Sequence, residues 1–494
     1  MKNLLKKLSI QSVYFIVYSM CLVFLVGISG CSTKPYNPGK YEHLIKDEPC
    51  STDYEVWVNG TKAIVYVARV QDPPWEKERT HLDFGGHYSF ISFDMDKPVE
   101  VKIKSTTKKF ENTILRPEGV SVSNVKKSAS ELSFTVDKPT KISIEPDGKN
   151  GPLLLFANTI DDFKPDLKDP NLIYFGPGIH HPDSAIVNVG ANQTMYLAEG
   201  AIVRAGIRVR GNNVKICGRG IICGNEFVWG KGAHNLIVVT ESNNVLIKDI
   251  ILRGSATWTL PIRNSQNVTV DNVKIVAGRA QNDDGINPCN SQNVWIKNCF
   301  IRTDDDCIAL KGLTSNNENV EKITVENCIL WCDRARVVLM GHESRADYMR
   351  NILFKNIEIL HFSMTAFLLE PGEKMKMENV VFENIRINGE GQKELIRLKP
   401  VVNQYMRTLL PGYISGITFK NITLTGKEGP YKIQLLEASE EYTIRDVKTV
   451  LRGANKEYTV KNVTFDNISI LGQRLTKDYN NLEMGNYVSD ITFK

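Results

Sequence analysis

Two short aspartate-rich segments stand out from an otherwise regular chain. They read Asn282-Asp283-Asp284-Gly285 and Thr303-Asp304-Asp305-Asp306-Cys307, and Asp284 precedes Asp305 by 21 residues. Carboxylates that lie this close together repel one another. Such a cluster is costly unless it binds a cation, shares protons or takes part in acid–base chemistry. A solvated acidic turn is the alternative without a function.

Hydrolysis of a glycosidic bond is one reaction that needs paired carboxyl groups. One carboxylic acid protonates the leaving oxygen, and a carboxylate activates water on the other face of the sugar. Crowding raises the pKa of one member of a cluster, so that it stays protonated and can serve as the acid. The chain has no HExxH motif or Walker loop, its cysteines are not spaced as a zinc site, and its eight histidines form no ligand set, so we expect no metal or other cofactor.

Aromatic and basic residues lie about one repeat before and after the aspartates. Trp258 precedes Asp284 by 26 residues, and Trp331 follows Asp305 by the same number. Trp faces stack on sugar rings, and Arg or Lys donates hydrogen bonds to hydroxyls or carboxylates, although either Trp could equally belong to the core. The candidate substrate-binding residues are Asn282, Trp258, Lys311, Arg334, Arg336, His342 and Arg345.

The elements that must position these residues repeat one theme, in which two apolar alternations flank an Asn or Asp. The repeat positions are Asp249, Asn272, Asn298, Asn327, Asn356 and Asn384, with steps of 23 to 29 residues, followed after longer steps by Asn421 and Asn467. Strand-forming repeats of this length predict a parallel β-helix, in which equal positions stack at about 4.8 Å. The aspartates then share one face, and the Asn residues form a structural ladder at a turn.

Four segments are predicted along the chain. Residues 1–30 contain Lys2, Lys6 and Lys7 and an apolar run over 13–28, which is the layout of a lipoprotein signal peptide that ends before a lipid-bearing Cys31. Residues 31–45 are predicted to be a tether. Close-set alternating runs over 46–150 predict a small antiparallel β-sandwich, and residues 151–494 form the β-helix.

The formal net charge is +5, of which the first 30 residues contribute 3. The remaining charge is too small for general nucleic-acid binding. The expected location is an outer membrane, on the periplasmic or the cell-surface face, with the lipid as the membrane anchor. The expected partner is a polysaccharide or oligosaccharide substrate, and the oligomeric state is left open.

At the two aspartate segments the chain resembles glycoside hydrolase families 28 (polygalacturonases) and 49 (dextranases), which form one clan. The family-28 pattern Asn-Thr-Asp-Gly matches residues 282–285 with Asp283 in place of Thr, and Asp-Asp-Cys matches residues 305–307. The resemblance implies a right-handed parallel β-helix and hydrolysis with inversion. It implies Asp305 as the general acid and Asp284 and Asp306 as the residues that hold the attacking water.

Other segments depart from family 28. Its Gly-His-Gly motif is missing, with Arg336 in the place of the His, and its Arg-Ile-Lys motif is replaced by a coil that carries Glu370, which would repel galacturonate. Residues 332–347 and the leading β-sandwich look closer to family 49. A pectic polysaccharide is therefore one expected substrate, and an α-glucan of the dextranase type is the alternative.

Two other functions fit the same pattern. A polysaccharide lyase would use the aspartates to bind Ca²⁺ and Arg336 to remove a proton. A non-catalytic solenoid would bind glycans in the acidic groove. The β-sandwich either binds carbohydrate or caps the first coil of the β-helix.

Overall fold

A computed structural model describes residues 39–72, 85–313, 318–388, 393–426, 431–434, 439–442 and 447–494. These residues belong to one compact unit, Pro38–Lys494. The predicted signal peptide and Cys31 lie outside the described residues. Within those residues, no helix is long and apolar enough to cross a membrane.

The larger part is a parallel β-helix built from coils of three strands. The first and second strands of each coil lie in one long sheet, where they join into one continuous strand from Tyr348–His361 onward, and the third strands form a second sheet. Strand–crossover–parallel strand connections are right-handed. The predicted class, an all-β chain with a right-handed parallel β-helix preceded by antiparallel sheets, is confirmed.

The strands of the long sheet are Leu172–Phe175, Gly178–His180, Thr194–Leu197, Ala201–Val203, Val214–Gly218, Ile221–Cys223, Asn243–Lys248, Ile251–Arg253, Gln266–Asp271, Lys274–Val276, Gln292–Lys297, Phe300–Thr303, Val320–Glu326, Ile329–Cys332, Tyr348–His361, Lys376–Asn388, Tyr413–Thr425, Val460–Ile470, Gln473–Arg474 and Val488–Phe493. The third strands are Ile186–Val189, Gly206–Val209, Ile237–Thr240, Leu260–Arg263, Ile286–Cys289, Ile308–Gly312, Arg336–Ser344, Thr365–Glu370, Glu394–Leu398, Lys448–Leu451 and Leu482–Met484. A hairpin pairs Tyr431–Gln434 with Ser439–Tyr442.

The Asn ladder is confirmed from Asn327 to Asn467, whereas Asn298 donates to Asp271 instead of Asn272. Asn356, Asn384, Asn421 and Asn467 adopt φ values of 52 to 56°, which Asn tolerates better than most residues. Each side-chain amide donates to the Asn oxygen of the preceding coil at 2.9 to 3.3 Å. The ladder satisfies polar groups at the bend between the first and second strands.

The core of the β-helix is a continuous column of inward-facing side chains. Phe382 is fully buried, and its ring stacks on those of Phe354 and Phe419 at 4.9 Å each. Cys299 and Cys328 are buried free thiols in the same core. Trp295 lies within a repeat strand and is 41% exposed on the outer surface.

The N-terminal part consists of two mainly antiparallel sheets. One contains Tyr54–Val58, Thr61–Lys62, Val99–Ser105, Val122–Lys127 and Glu131–Val136, and the other contains Tyr66–Arg69, His87–Asp94, Ile114–Arg116, Thr140–Lys149 and Leu153–Asn158. The last of these strands lies beyond the predicted boundary at 150, because it pairs with His87–Asp94 and Thr140–Lys149.

The β-sandwich packs against the side of the β-helix rather than over its first coil. Its Tyr66, Phe90 and Phe156 share one apolar cluster with second-strand residues of successive coils. Those residues are Ile202, Ile221, Ile251, Val276, Phe300, Trp331 and Leu360. The predicted tether also ends inside this packed region, because Ile45 is buried in the cluster after a short 3-10 helix, Glu42–Leu44.

Polar contacts reinforce this interface. Glu145 of the β-sandwich is fully buried and lies 3.1 Å from Nε2 of His361 in the β-helix and 3.0 Å from Nε of Arg116. Arg302 of the β-helix lies between the rings of Tyr88 and Trp331, with its guanidinium carbon 4.2 and 3.9 Å from the ring centres. Trp331 is therefore an interface residue and does not reach the groove.

Replacing Phe382 by Ala should destabilise the protein strongly, because the core contacts of a fully buried ring are lost and a cavity remains. We expect the free energy of unfolding to fall by about 3–5 kcal/mol. Trp295→Ala removes an exposed ring and should cost less than about 1 kcal/mol. Urea unfolding followed by circular dichroism measures both, and equal losses would contradict the packing described here.

Candidate active site

The turn between the second and third strands carries the aspartates in two adjoining coils. Asp284 precedes the third strand Ile286–Cys289, and Asp305 and Asp306 precede Ile308–Gly312. The backbone N–H of Gly285 donates to the Asp306 carbonyl at 2.8 Å, so the two turns are stacked directly. A Cβ at Gly285 would lie 2.4 Å from the Cys307 carbonyl oxygen, which is why this position requires glycine.

The next coil brings a cation to the same place. The N–H of Cys307 donates to the Arg336 carbonyl at 3.2 Å, which places Arg336 beside Asp306. The three coils enclose a groove of about 390 Å³. Its lining residues are Trp229, Thr257, Trp258, Asn282, Asp284, Asp305, Asp306, Lys311, Arg336, His342, Glu343 and Tyr405.

Asp284 is 2% exposed and lies between a cation and two anions. Its Oδ2 accepts a hydrogen bond from Asn287 at 2.8 Å and lies 3.6 Å from Nζ of Lys311. Burial raises its pKa well above the usual value, and the charges of Asp305 and Asp306 raise it further, while Lys311 opposes the shift. Asp284 therefore holds a proton more readily than an exposed aspartate.

Asp305 and Asp306 share one guanidinium. Arg336 Nε lies 2.7 Å from Oδ1 of Asp306, and its terminal nitrogen lies 3.7 Å from Oδ1 of Asp305. Asp305 also accepts a hydrogen bond from Asn282 at 3.2 Å. Burial raises the pKa of Asp306 to about 6, and Arg336 limits that rise.

The other two aspartates of the segments have structural partners instead. Asp283 is fully buried and accepts hydrogen bonds from the backbone N–H groups of Gly278, Ala280, Asp304 and Asp305. Burial raises its pKa to about 7 against these four bonds. Asp304 lies 3.2 Å from Nε of Arg334, and burial raises its pKa well above the usual value. Of the five aspartates, Asp284, Asp305 and Asp306 remain in the groove.

The predicted substrate-binding residues divide into two groups. Asn282, Trp258, Lys311, Arg336 and His342 line the groove. Arg334 does not, because it is 1% exposed and its charge is directed at Asp304. Arg345 does not either, because its guanidinium donates to the carbonyls of Leu313 and Tyr405 at 3.1 and 3.2 Å. For Arg334 this burial contradicts the predicted substrate contact, whereas contact by the partly exposed Arg345 stays a prediction.

Every cation that lines the groove within the described part of the chain already faces a carboxylate. Lys311 lies 3.3 Å from Glu343 as well as near Asp284. His342 Nδ1 lies 3.0 Å from Oε2 of Glu370, and this contact lowers the pKa of Glu370 against its burial. The carboxylate of Glu370 thus faces His342 and does not line the groove.

Four groove residues were not predicted from the sequence, namely Trp229, Thr257, Glu343 and Tyr405. Trp229 and Tyr405 are aromatic, and Glu343 follows His342 directly. The step from Asn384 to Asn421 is longer than the earlier steps, so the spacing predicts an inserted segment near Tyr405. The spacing does not predict that this segment folds toward the groove. Trp258 is flanked by Lys311, whose Nζ lies 4.6 Å from the ring centre.

The β-sandwich contacts the turn that leads to Asp283. The N–H of Gln71 donates to the Gly278 carbonyl, and the N–H of Asp72 donates to the Arg279 carbonyl, both at 2.7 Å. Arg279 in turn lies 3.0 Å from Asp72 and donates to the carbonyls of Gly224 and Phe227. The N-terminal part therefore supports the loops at one edge of the groove.

The described ranges lack a side-chain cluster of the kind that binds metal ions. No group of three or more His, Cys, Asp or Glu side chains there is arranged to hold a metal ion. The carboxylates of the groove instead face the cations and amides named above.

Comparison with known proteins relates the chain to glycoside hydrolases. A family model described as glycosyl hydrolases family 28 matches residues 201–330, which include all three groove aspartates. Exopolygalacturonase X-1 of Emericella nidulans is 25% identical over 250 residues, 44% of this chain and 55% of that protein. Polygalacturonase QRT2 of Arabidopsis thaliana is 30% identical over 122 residues, 22% of this chain and 27% of that protein. The matched segments thus span less than two thirds of these relatives.

Solved structures share the fold over most of the chain. Dex49A from Penicillium minioluteum superimposes with a TM-score of 0.66 at 16% identity, covering 90% of this chain and 95% of that one. A family 28 exopolygalacturonase of Yersinia enterocolitica gives a TM-score of 0.51 at 14% identity, covering 90% and 94%. The sequence similarities indicate a glycosidase, and the structural similarities establish the architecture.

Replacement by Asn should change the free energy of unfolding in opposite directions at Asp284 and at the adjacent Asp283. Asp284→Asn removes a buried charge and keeps an oxygen for Asn287, so the variant should be more stable than the parent at pH 7.5. Asp283→Asn places an amide N–H₂ against backbone donors and should cost about 1–3 kcal/mol.

The stability difference between Asp284→Asn and the parent should depend on pH. The pKa of Asp284 is raised in the folded state, so the parent is penalised above that pKa and recovers as the pH falls toward the unfolded value. The advantage of Asp284→Asn should therefore shrink at pH 4.5. Urea unfolding at both pH values measures it, and an Asp284→Asn protein less stable than the parent at pH 7.5 would contradict the burial argument.

Proposed function

We propose that this protein is an inverting glycoside hydrolase that cleaves a polysaccharide with Asp284, Asp305 and Asp306. One observation carries the proposal: three carboxyl groups from adjoining coils meet in one groove that also presents aromatic rings. The match of family 28 over residues 201–330 supports it independently, because the match includes these three positions.

The proposed roles follow from the partners of each carboxyl group. Asp305, held by Asn282 on one side, donates a proton to the leaving oxygen. Asp284 and Asp306 hold the water that attacks the sugar from the opposite face. Arg336 keeps Asp306 ionised near neutral pH despite its raised pKa. Because the three groups interact, the proton belongs to the cluster as a whole until substrate binds.

The charges of the groove favour a particular sugar at the cleavage point. Lys311, Arg336 and His342 are each paired with carboxylates, so a uronate placed there would face acids without an uncommitted cation. Trp229, Trp258 and Tyr405 offer faces for stacking on pyranose rings. A neutral sugar at the cleavage point fits this arrangement better than a galacturonate does, which argues against a homogeneous galacturonan.

Asp305→Asn should abolish the activity without unfolding the protein. Removal of a positioned general acid lowers kcat by about 10²–10⁴-fold. Reducing-end release is measured on polygalacturonate, rhamnogalacturonan, dextran and pullulan, with the exposed Asp183→Asn as the matched control. Proton NMR of the first product identifies the anomer and tests inversion.

Other outcomes would point elsewhere. An Asp305→Asn protein with full kcat would overturn the assignment of the general acid. Release of an unsaturated, ultraviolet-absorbing product that stops with EDTA would indicate a lyase. Tight binding of a polymer without any product would indicate a glycan-binding solenoid.

Export and lipid anchoring are part of the same proposal. Lys2, Lys6 and Lys7, the apolar run over 13–28 and Cys31 support them. In cells fed labelled palmitate, the protein should carry label and sediment with the outer membrane, and Cys31→Ser should lose both properties. Retention of the label by Cys31→Ser would refute the anchor, with Cys21→Ser as the matched control.

A further inference from the structure

Two arginines stand on the outer face of the third-strand sheet, on the N-terminal side of the groove. Strands Gly206–Val209, Ile237–Thr240 and Leu260–Arg263 pair in parallel, with Arg208 beside Val238 and Thr240 beside Arg263. Ile207, Val239 and Ile262 point into the core. Because side chains alternate along a strand, Arg208 and Arg263 lie on the opposite, outer face.

These arginines differ from the cations at the cleavage point. Across the described ranges, neither Arg208 nor Arg263 forms an ion pair with a carboxylate. Arg208 donates only to the backbone carbonyls of Ile207 and Asn235, at 3.0 and 3.2 Å. Arg263 lies beside Trp258, with its guanidinium carbon 5.9 Å from the ring centre.

The positive charges on this face repel one another. Burial lowers the pKa of Arg208, and the charge of Arg263 lowers it further. Both arginines also lower the pKa of His234, which is itself partly buried. Like charges without counterions repel one another, so the binding of an anion beside them is favourable.

The surface offers room for such an anion. A cavity of about 290 Å³ on this face is lined by Arg208, together with Asn188, Arg210 and Thr240. Arg210 is already paired with Glu241, so Arg208 is the uncommitted charge of this cavity. Trp258 connects the two regions, because Arg263 flanks its ring and Lys311 of the active-site groove lies 4.6 Å from it.

We propose that Arg208 and Arg263 bind carboxylate or sulfate groups carried by the glycan, away from the cleavage point. At about 4.8 Å per coil, Arg263 lies two coils (about 10 Å) and Arg208 four coils (about 19 Å) from Lys311. The inference rests on the proposed function for its ligand. The preferred substrate is thus an acidic polysaccharide with a neutral sugar at the cleavage point. Its charged groups bind the arginines several sugars away from that point.

The test measures binding without turnover. In the full-length protein with Asp305→Asn, Trp fluorescence titration gives Kd for polygalacturonate and its carboxyl-reduced form, and for dextran sulfate and dextran. Each acidic polymer is compared with its own neutral parent, so the two pairs distinguish carboxylate from sulfate. Arg208→Met and Arg263→Met are compared with Arg474→Met, at an exposed arginine away from this face, as the matched control.

At least one acidic polymer should bind about tenfold more tightly than its neutral parent. Arg208→Met and Arg263→Met should each remove that advantage, while Arg474→Met and Arg208→Lys should keep it, and urea unfolding should show that all variants are folded. The proposal is overturned if neither acidic polymer has an advantage, or if the advantage persists in both Met variants. Hydrolysis is not measured here, so failure of the subsite and failure of the catalytic proposal remain distinguishable.

Discussion

The hydrogen bonds between successive coils are the constraint on which the rest of the structure depends. They align equivalent residues of neighbouring coils at about 4.8 Å, whatever the side chains are. Asp284, Asp306 and Arg336 meet because their backbones are bonded in this register, from Gly285 to Asp306 and from Cys307 to Arg336. The buried charges therefore do not have to assemble the site against their own repulsion. The stacked core, including the rings of Phe354, Phe382 and Phe419, supplies the stabilisation that holds them together.

Much of this arrangement could be predicted from the sequence because the repeat is periodic. The spacing of Asn and Asp residues predicts the coils and the ladder, and the 21-residue offset from Asp284 to Asp305 is close to one coil. What the spacing does not contain is the direction of each side chain within a turn. Asp283 and Asp304 could not be separated from their neighbours, because their partners are backbone N–H groups and Arg334.

The partners of the basic side chains could not be predicted from the sequence for a similar reason. Arg345 was a reasonable candidate for a substrate contact, but its partners are the carbonyls of Leu313 and Tyr405, which lie 32 and 60 residues away. Irregular turns set these contacts, and no periodicity predicts them. The side-on packing of the β-sandwich was equally hidden, since it depends on apolar residues such as Phe300 that also fit an ordinary core position.

The stacking of Arg302 between Tyr88 and Trp331 joins the β-sandwich to the side of the β-helix that supports the aspartate turns. The backbone of Asp333, whose N–H donates to the Thr303 carbonyl, holds the turn beside Asp305 from the same side. Mutations on that side disturb the sandwich and the catalytic turn together, so selection must preserve both at once. Loops on the open side, such as the one that carries Tyr405, can lengthen or change without altering the coil register. New specificities can therefore arise by drift in the open loops while the chemistry is inherited unchanged.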